Sequence, residues 1–411
     1  MVTNKKYDVV IVGAGLAGSA LACALGDSGL KIALLEGGSL PITAPLAASK
    51  VNGFDPRVSA LTEASRKFLQ QIDVWASMQG ISVGSYRHMT VWDAQGTGEI
   101  EFDAGEVQQP RLGHIVENRI TNWCLLQRLS ALPVDVFSNT KVSDLIEIRG
   151  TDTSKGDAAY SVVLEDGSTI QASLLVAADG ARSIIRTLAG FETREWDYNH
   201  QAIVATVECE HQHQHTAWQR FLPQGPLALL PLTDANGGKH YCSIVWSAEL
   251  NYADELSALT DDEFCSALGK AFEYRLGEIT AVSKRFSFPL RQRHAKQYFK
   301  PGLVLVGDAA HSIHPLAGQG INLGLQDVQV LAEEIVRGAA RGLAVGDETI
   351  LRRYQRRRMA ANLAMMAAMD GFKRLFERPE LPVRWLRNEG LRLLGKIPEV
   401  KNTIIRRAMG L

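Results

Sequence analysis

The sequence predicts an α/β protein in which a parallel-sheet domain, split along the chain, brackets a mostly antiparallel sheet and is followed by a helical tail. Three observations carry that prediction. An apolar run, YDVVIV at 7–12, leads into GAGLAG at 13–18 and an Ala/Leu-rich helical stretch to about Ser28. A second apolar run, LVLV at 303–306, is followed by Gly307-Asp308 and, from about Gln319, by a helical pattern. Between them, AIVATVEC, LALLPL and YCSIVW within 202–247 are dense in alternating β-branched and aromatic residues, the pattern of antiparallel strands.

The first unit continues into a strand over Lys31–Leu35 that ends at Glu36, 18 residues past Gly18. Strand, glycines, helix, strand and acid in that order form a dinucleotide-binding unit. The glycines permit the tight turn and close approach of a pyrophosphate, and the acid accepts ribose hydroxyls. Gly13, Ala14, Gly15, Leu16, Ala17, Gly18 and Glu36 are therefore expected to bind cofactor. A Pro/Ala/Ser loop follows at 39–56, then a helix near Ser59–Ile72 and alternating segments around 86–103. A helix near Glu117–Leu132 precedes strands over 134–148 and 160–177, and a helix near Ala181–Ala189 ends in Gly190. A helix over about 260–276 and FSFPL at 286–290 lead back to the Leu303 strand.

Asp308 then falls at the carboxyl end of a strand, where open α/β sheets bind ligands. Gly318-Gln319-Gly320 offers a backbone able to lie against a planar ligand, and a helix N-terminus there stabilises negative charge. A polyhydroxylated, electron-accepting cofactor needs both. Residues 1–80, 110–190 and 290–345 are expected to form the cofactor-binding domain, 81–109 and 191–289 the sheet domain, and 346–411 a basic helical region.

Composition excludes several classes. With 46% hydrophobic and 22% charged residues the chain is that of an ordinary globular protein. No apolar run approaches the roughly 18–20 residues of a spanning helix. The N-terminal lysines precede a glycine-broken strand rather than a signal peptide. Five scattered cysteines without CxxC spacing argue against disulfides, zinc and iron–sulfur clusters, and for a cytoplasmic location. HQHQH at 211–215 has no accompanying ligand cluster, so no metal is expected. The net charge of −1 conceals a tail, 351–411, with fifteen Lys/Arg against five Asp/Glu. That asymmetry points to an anionic partner, a membrane surface or an acidic protein. The basic tail has no interleaved aromatics or recognition motif, which speaks against nucleic acid.

Residues 7–36, 175–186 and 303–324 together resemble the single-component FAD-dependent aromatic hydroxylases of the 4-hydroxybenzoate hydroxylase type. GAGLAG, AADGARSIIR and GDAAHSIHPLAGQGINLG match that family's GxGxxG, DG and GD motifs. RVSAL at 57–61, LGHIVENRI at 112–120, WDY at 196–198 and the closing RRAMGL resemble its ubiquinone-biosynthesis branch, nearest to 2-polyprenylphenol hydroxylase. The resemblance implies an FAD-binding Rossmann-like domain with an inserted substrate sheet. It implies FAD as cofactor, O2 as co-substrate, and NAD(P)H or a partner as reductant. It places Arg57 at the flavin or its ribityl chain, Arg119 near the pyrophosphate and Asp308 on the ribityl chain. Pro315 and Gly318, Gln319, Gly320, Ile321 and Asn322 fall beside the flavin ring, and Asp179 of the DG motif serves FAD and NAD(P)H.

The implied reaction is hydroxylation of a polyprenylated phenol or benzoquinol. The alternatives are a small soluble aromatic acid as substrate, or a flavin-bound scaffold in a biosynthetic complex. His311 and His314 are candidates to assist phenol deprotonation. A polyprenyl tail needs an apolar tunnel, expected along 202–207, 227–232 and 241–247, with Leu229 as a lining residue. The basic helices are expected to make peripheral contact with the inner face of the membrane or with partner enzymes.

Overall fold

The computed structural model describes residues 5–148, 150, 152–312, 320–377, 380, 388–390 and 397–410. Its first sheet is built on strand Lys5–Val12, whose Val9, Val10 and Ile11 are completely buried. A strand covered on both faces reads as a continuous apolar run, and this one does. It pairs in parallel with Ile32–Leu35 on one side and Thr169–Ala177 on the other. Val134–Phe137 and Leu303–Leu305 extend the parallel array outward. Register aligns the carboxyl ends: Val12 lies opposite Leu35 and Ala177, and Ala177 opposite Leu305.

Helices Leu16–Leu25 and Gly320–Ala339 pack together on this sheet. Gly307, at φ +57°, lets the chain leave the Leu303–Leu305 strand against them; a Cβ there would sit 3.4 Å from the Ala17 Cβ. After a short turn at Gly307–Ala309, His311–Ser312 joins the edge of the second sheet. The glycine–aspartate turn therefore couples the two sheets.

The second sheet has nine strands among the described residues, with Thr193–Cys209, Phe286–Ala295, Tyr241–Glu249, Gly225–Pro231 and Thr216–Leu222 forming its antiparallel body. His88–Asp93 joins Thr216–Leu222 in parallel and carries Glu99–Asp103 at the edge. One face packs Ile203, Ala205, Leu227, Leu229, Ile244 and Trp246 against helices Leu250–Ala258 and Asp261–Ala271. The other face puts Ala217, Leu230, Leu232 and Tyr241 against Ala48, Phe54, Ala60 and Ile115 from the first half of the chain.

That alternation corrects one expectation. Leu229, expected to line a tunnel, is fully buried in the helix-covered core. With a side-chain period of two, the face toward the first sheet carries its neighbours Ala228 and Leu230, with the half-buried Val204 and Val245.

Local capping moves two helix boundaries. The helix expected near Ser59 begins at Glu63, because Thr62 accepts a hydrogen bond from Ser65 N, while Val58–Leu61 pairs as a strand with Gly113–Glu117. The helix expected over Ala181–Ala189 is only Ile184–Leu188, with Ser183 as its cap. Helix Leu250–Ala258 was not foreseen.

The tail forms helices Glu348–Glu377 and Pro398–Ala408. Phe376 stacks on Phe221 with ring centres 3.8 Å apart, and Ile405 and Met409 pack with Ala104, Val107 and Leu112. Some of its positive charge is paired within the protein: Arg357 with Glu333 and Glu334, Arg358 with Asp327 and Lys401 with Glu106. Among the described residues no helix is long and apolar enough to cross a membrane.

Candidate functional site

The parallel sheet delivers four turns to one edge: Gly13 after the first strand, Glu36 after the second, Asp179 after Thr169–Ala177 and Asp308 after Leu303–Leu305. A cleft of about 480 Å³ opens there, lined among others by Gly13, Gly15, Glu36, Lys141, Asp179, Gly180 and Ile184. Each glycine of the fingerprint has its own reason. Gly13 stands at φ +104°, and a Cβ on it would lie 2.5 Å from the Ala178 carbonyl oxygen. A Cβ on Gly18 would lie 1.9 Å from the Gly13 carbonyl oxygen. Gly15 has nothing within 4 Å among the described residues, so a side chain there would enter the cleft itself.

Three features fit a bound dinucleotide. Helix Leu16–Leu25 starts at Gly15 with no side-chain cap and no acid in its first turn, so its leading N–H groups face an anion-ready end. Glu36 Oε2 accepts from Ala14 N at 2.8 Å and Oε1 from Gly38 N at 2.9 Å, which fixes the carboxylate beside the glycine turn. Asp179 Oδ2 accepts from Ile184 N at 2.7 Å, whereas its Oδ1 is buried and without a partner among the described residues. Such an oxygen is costly unless a donor, such as a ligand hydroxyl, reaches it. Desolvation pushes both Asp179 and Asp308 above the usual carboxylate range.

Arg186, nearly buried, donates to the carbonyls of Ala309 and Ala181 at 2.9 Å each and so ties the Asp179 turn to the Asp308 turn. Arg57 lies over Phe288 at 5.5 Å from the ring centre, on the second sheet's inward face. Ala14, Leu16, Ala17 and Gly18 form the turn and first helical turn behind the cleft. Gly320 and Ile321 open the long helix, and a Cβ on Gly320 would meet nothing within 4 Å among the described residues.

Other expected residues have structural employment. Arg119 Nη2 donates to the carbonyls of Gly53 at 2.7 Å and Leu46 at 3.2 Å and pairs with Glu117 at 2.8 Å, which pegs the 46–53 loop. The Asn322 amide receives Thr62 N and the Ser65 hydroxyl and donates to the Ala60 carbonyl, clamping the helix start to the first half of the chain. His311 is buried with Nε2 at 2.5 Å from Asp327 Oδ2. His314, Pro315, Gly318 and Gln319 lie outside the described residues. No metal-binding cluster occurs among the described residues; His213 of the HQHQH tract is buried on the Leu232 carbonyl.

Sequence reasoning missed the buried network behind the Asp308 turn. Asp327, fully buried, holds Gly307 N, His311, Arg358 Nε at 2.7 Å and Asn362 Nδ2 at 3.1 Å. A lone acid on the apolar stripe Leu323, Leu325, Val328, Leu331 was the available signal, since such an acid is buried only with a partner.

Comparison with known proteins agrees with this geometry. A family model described as an FAD binding domain matches residues 6–368. The chain is 36% identical over 409 residues, the full length of both, to 3-demethoxyubiquinol 3-hydroxylase of Escherichia coli (strain K12). It is 37% identical to ubiquinone hydroxylase UbiL of Rhodospirillum rubrum, over 99% of this chain and 90% of that one. It is 33% identical to the mitochondrial ubiquinone biosynthesis monooxygenase COQ6 of Homo sapiens, over 98% and 92%. Among solved structures, PqsL of Pseudomonas aeruginosa, described as a probable FAD-dependent monooxygenase, superposes with a TM-score of 0.76 at 20% identity, covering 94% of this chain and 100% of that one. That likeness establishes the shared fold.

Proposed function

From the premise that the chain belongs to the FAD binding domain family and, within it, to the ubiquinone-biosynthesis hydroxylases, we propose that it hydroxylates the aromatic ring of a polyprenylated ubiquinone precursor. It is an FAD-dependent aromatic monooxygenase, and the balanced reaction consumes the ring substrate, O2, NAD(P)H and a proton and yields the ring alcohol, NAD(P)+ and water. The observation that carries the reading is the convergence of Gly13, Glu36, Asp179 and Asp308 at one sheet edge, with a buried carboxylate oxygen awaiting a donor.

Bound FAD, once reduced, supplies the activation of O2. The chain's own residues hold and orient it. In this reading the Gly13–Gly18 turn and its helix carry the pyrophosphate, Glu36 the adenosine ribose, and Asp179 and Asp308 the remaining hydroxyls. The backbone opening the Gly320–Ala339 helix meets the pyrimidine edge, where its N-terminus stabilises negative charge. Arg57 over Phe288 closes the side toward the second sheet, and that sheet's apolar inward face excludes water from the reacting ring. Arg119 and His311 act as positioning residues for the loop and turn they brace.

In the same reading 1–80, 110–190 and 290–345 serve the cofactor and 81–109 and 191–289 the substrate, with the second-sheet strand Phe286–Ala295 running across the boundary between them. The 2-polyprenylphenol is the proposed substrate, taken up at the inner face of the membrane. The similarity to a 3-demethoxyubiquinol 3-hydroxylase makes that quinol the second reading.

The purified protein is expected to show a flavin spectrum and, with 2-polyprenylphenol, NAD(P)H and O2, to form one hydroxylated product. Its ring position decides between the two substrates, and flavin with peroxide as the only product under both would sink the reading. Gly15→Val, which fills the cleft without touching protein, is expected to purify folded and FAD-free; full flavin content in that variant would displace the cofactor from the cleft.

A further inference from the structure

Helices Gly320–Ala339 and Glu348–Glu377 enclose a second cleft, of about 370 Å³, lined by Arg337, Arg341, Arg353, Arg356, Arg357 and Glu334. The two glutamates beside it are already committed. Glu334, almost fully buried, accepts from Arg337 at 3.1 Å and Arg357 at 2.8 Å, and Glu333 accepts from Arg357 at 2.8 Å. Arg341, Arg353 and Arg356 have no side-chain partner among the described residues. Five guanidinium groups around one cavity repel one another, and two carboxylates cannot neutralise them. Four of the five arginines stand on two packed helices and Arg341 on the turn just after Ala339, so an anion entering the cleft meets donors already in place.

The surface beside it says which anion. From Met359 to Met369 the long helix carries no charged residue at all. Its outward positions there are Ala360, Ala361, Leu363, Ala364, Ala367 and Ala368, all exposed, with Leu363 at 44%. Val336, beside Arg337 on the neighbouring helix, is 49% exposed. A soluble phosphate needs only the arginines. A membrane interface uses both, headgroup phosphates in the cleft and the uncharged helix face against the headgroup–acyl boundary. We propose that the Arg337–Arg341–Arg353–Arg356–Arg357 cleft is a phospholipid headgroup site through which the enzyme docks on anionic bilayers. The choice of a bilayer as occupant rests on the proposed polyprenylated substrate, which resides there; the anion site itself does not.

The test is flotation of the full-length protein with phosphatidylcholine vesicles, with and without phosphatidylglycerol. Wild type is expected to float only with the anionic vesicles. The triple variant Arg341→Gln, Arg353→Gln, Arg356→Gln touches no ion pair among the described residues, so it is expected to keep its melting temperature. It is expected to lose vesicle partitioning on the order of 100-fold, about a factor of five for each cation removed near an anionic surface. A control with the same charge change on exposed lysines elsewhere, Lys31→Gln, Lys67→Gln, Lys270→Gln, is expected to float like wild type. Equal flotation of the triple variant and wild type, or equal losses in triple variant and control, would overturn the proposal. So would tight binding of inorganic phosphate with no preference for anionic vesicles. Hydroxylation of a short-tailed, water-soluble phenol is read separately. It is expected to be unchanged in the triple variant, and its absence from wild type while flotation persists would strike the proposed reaction and leave the headgroup site standing.

Discussion

Near the middle of helix Gly320–Ala339, Asp327 is wholly buried and its hydrogen-bond partners among the described residues are all donors: Gly307 N, His311, Arg358 and Asn362. Two turns later on the same helix, Glu333 and Glu334 sit among five arginines and leave three guanidinium groups without a side-chain partner among the described residues. The difference follows from solvent. A charge removed from water is tolerated only when protein groups replace its hydration shell, so the inner cluster is complete. A surface cluster keeps water as a partner and can carry excess charge, so the outer one is incomplete. The inner cluster shapes the turn that presents Asp308; the outer one is open to a ligand.

Removing a partner from each cluster gives the largest contrast. Asp327→Asn leaves Arg358, which is 5% exposed, without its carboxylate, and is expected to cost about 3–5 kcal/mol and to loosen FAD as the Gly307–His311 turn relaxes. Arg341→Gln is expected to stay within about 0.5 kcal/mol of wild type. Urea unfolding reads both, and similar losses would erase the distinction.

The clusters also differ in what pH can reach. Through the Tyr298 hydroxyl, which Asn362 contacts at 3.1 Å and His294 at 3.0 Å, the inner network extends to a buried histidine. Burial, then the charge of His311, lowers the His294 pKa to about 4. The unfolded chain, with an ordinary histidine near 6.5, binds that proton more readily. Stability is therefore complete above the unfolded value and falls as pH drops from about 6.5 toward 4. Between pH 7 and 5 His294 accounts for about 1–2 kcal/mol of loss, and the loss is expected to shrink by that amount in His294→Asn. The arginine cleft contains no histidine, so vesicle flotation is expected to be level over the same interval. An unchanged slope in the variant would remove His294 from the account.

What was legible in the sequence sorts along similar lines. The Gly13–Gly18 turn and Glu36 were readable because their geometry is local: one strand end, one turn and one helix start set it. The Asp308 turn was readable for the same reason. The work of the Asn322 amide was not, because it is claimed by Ala60, Thr62 and Ser65, some 260 positions away. Leu229 and Leu230 look alike in a sheet covered on both faces, by helices on one side and by the first half of the chain on the other, so apolar character could not tell the core from the inward face. The basic tail was legible as a count of charges and illegible as a surface. Arg358 is buried against Asp327 and Arg357 is bound by two glutamates, and only pairing across helices shows which arginines are left over.

The smallest effect tests that last point most sharply. Glu333 and Arg357 are each 38% exposed, and a pair of that kind contributes about 0–1 kcal/mol to stability. Glu333→Gln is therefore expected to leave the unfolding curve almost unmoved. It also removes a carboxylate that occupies Arg357 Nη2, while Glu334 keeps Nη1 in place. The cleft gains net positive charge without losing its shape, so partitioning onto anionic vesicles is expected to rise up to about fivefold, the worth of one charge near such a surface. A stabilising role for the outer cluster predicts the reverse: a lower melting temperature and weaker binding together. Since the two accounts assign opposite signs to one substitution, flotation of Glu333→Gln separates a cluster that holds the helices together from one that they hold open for a ligand.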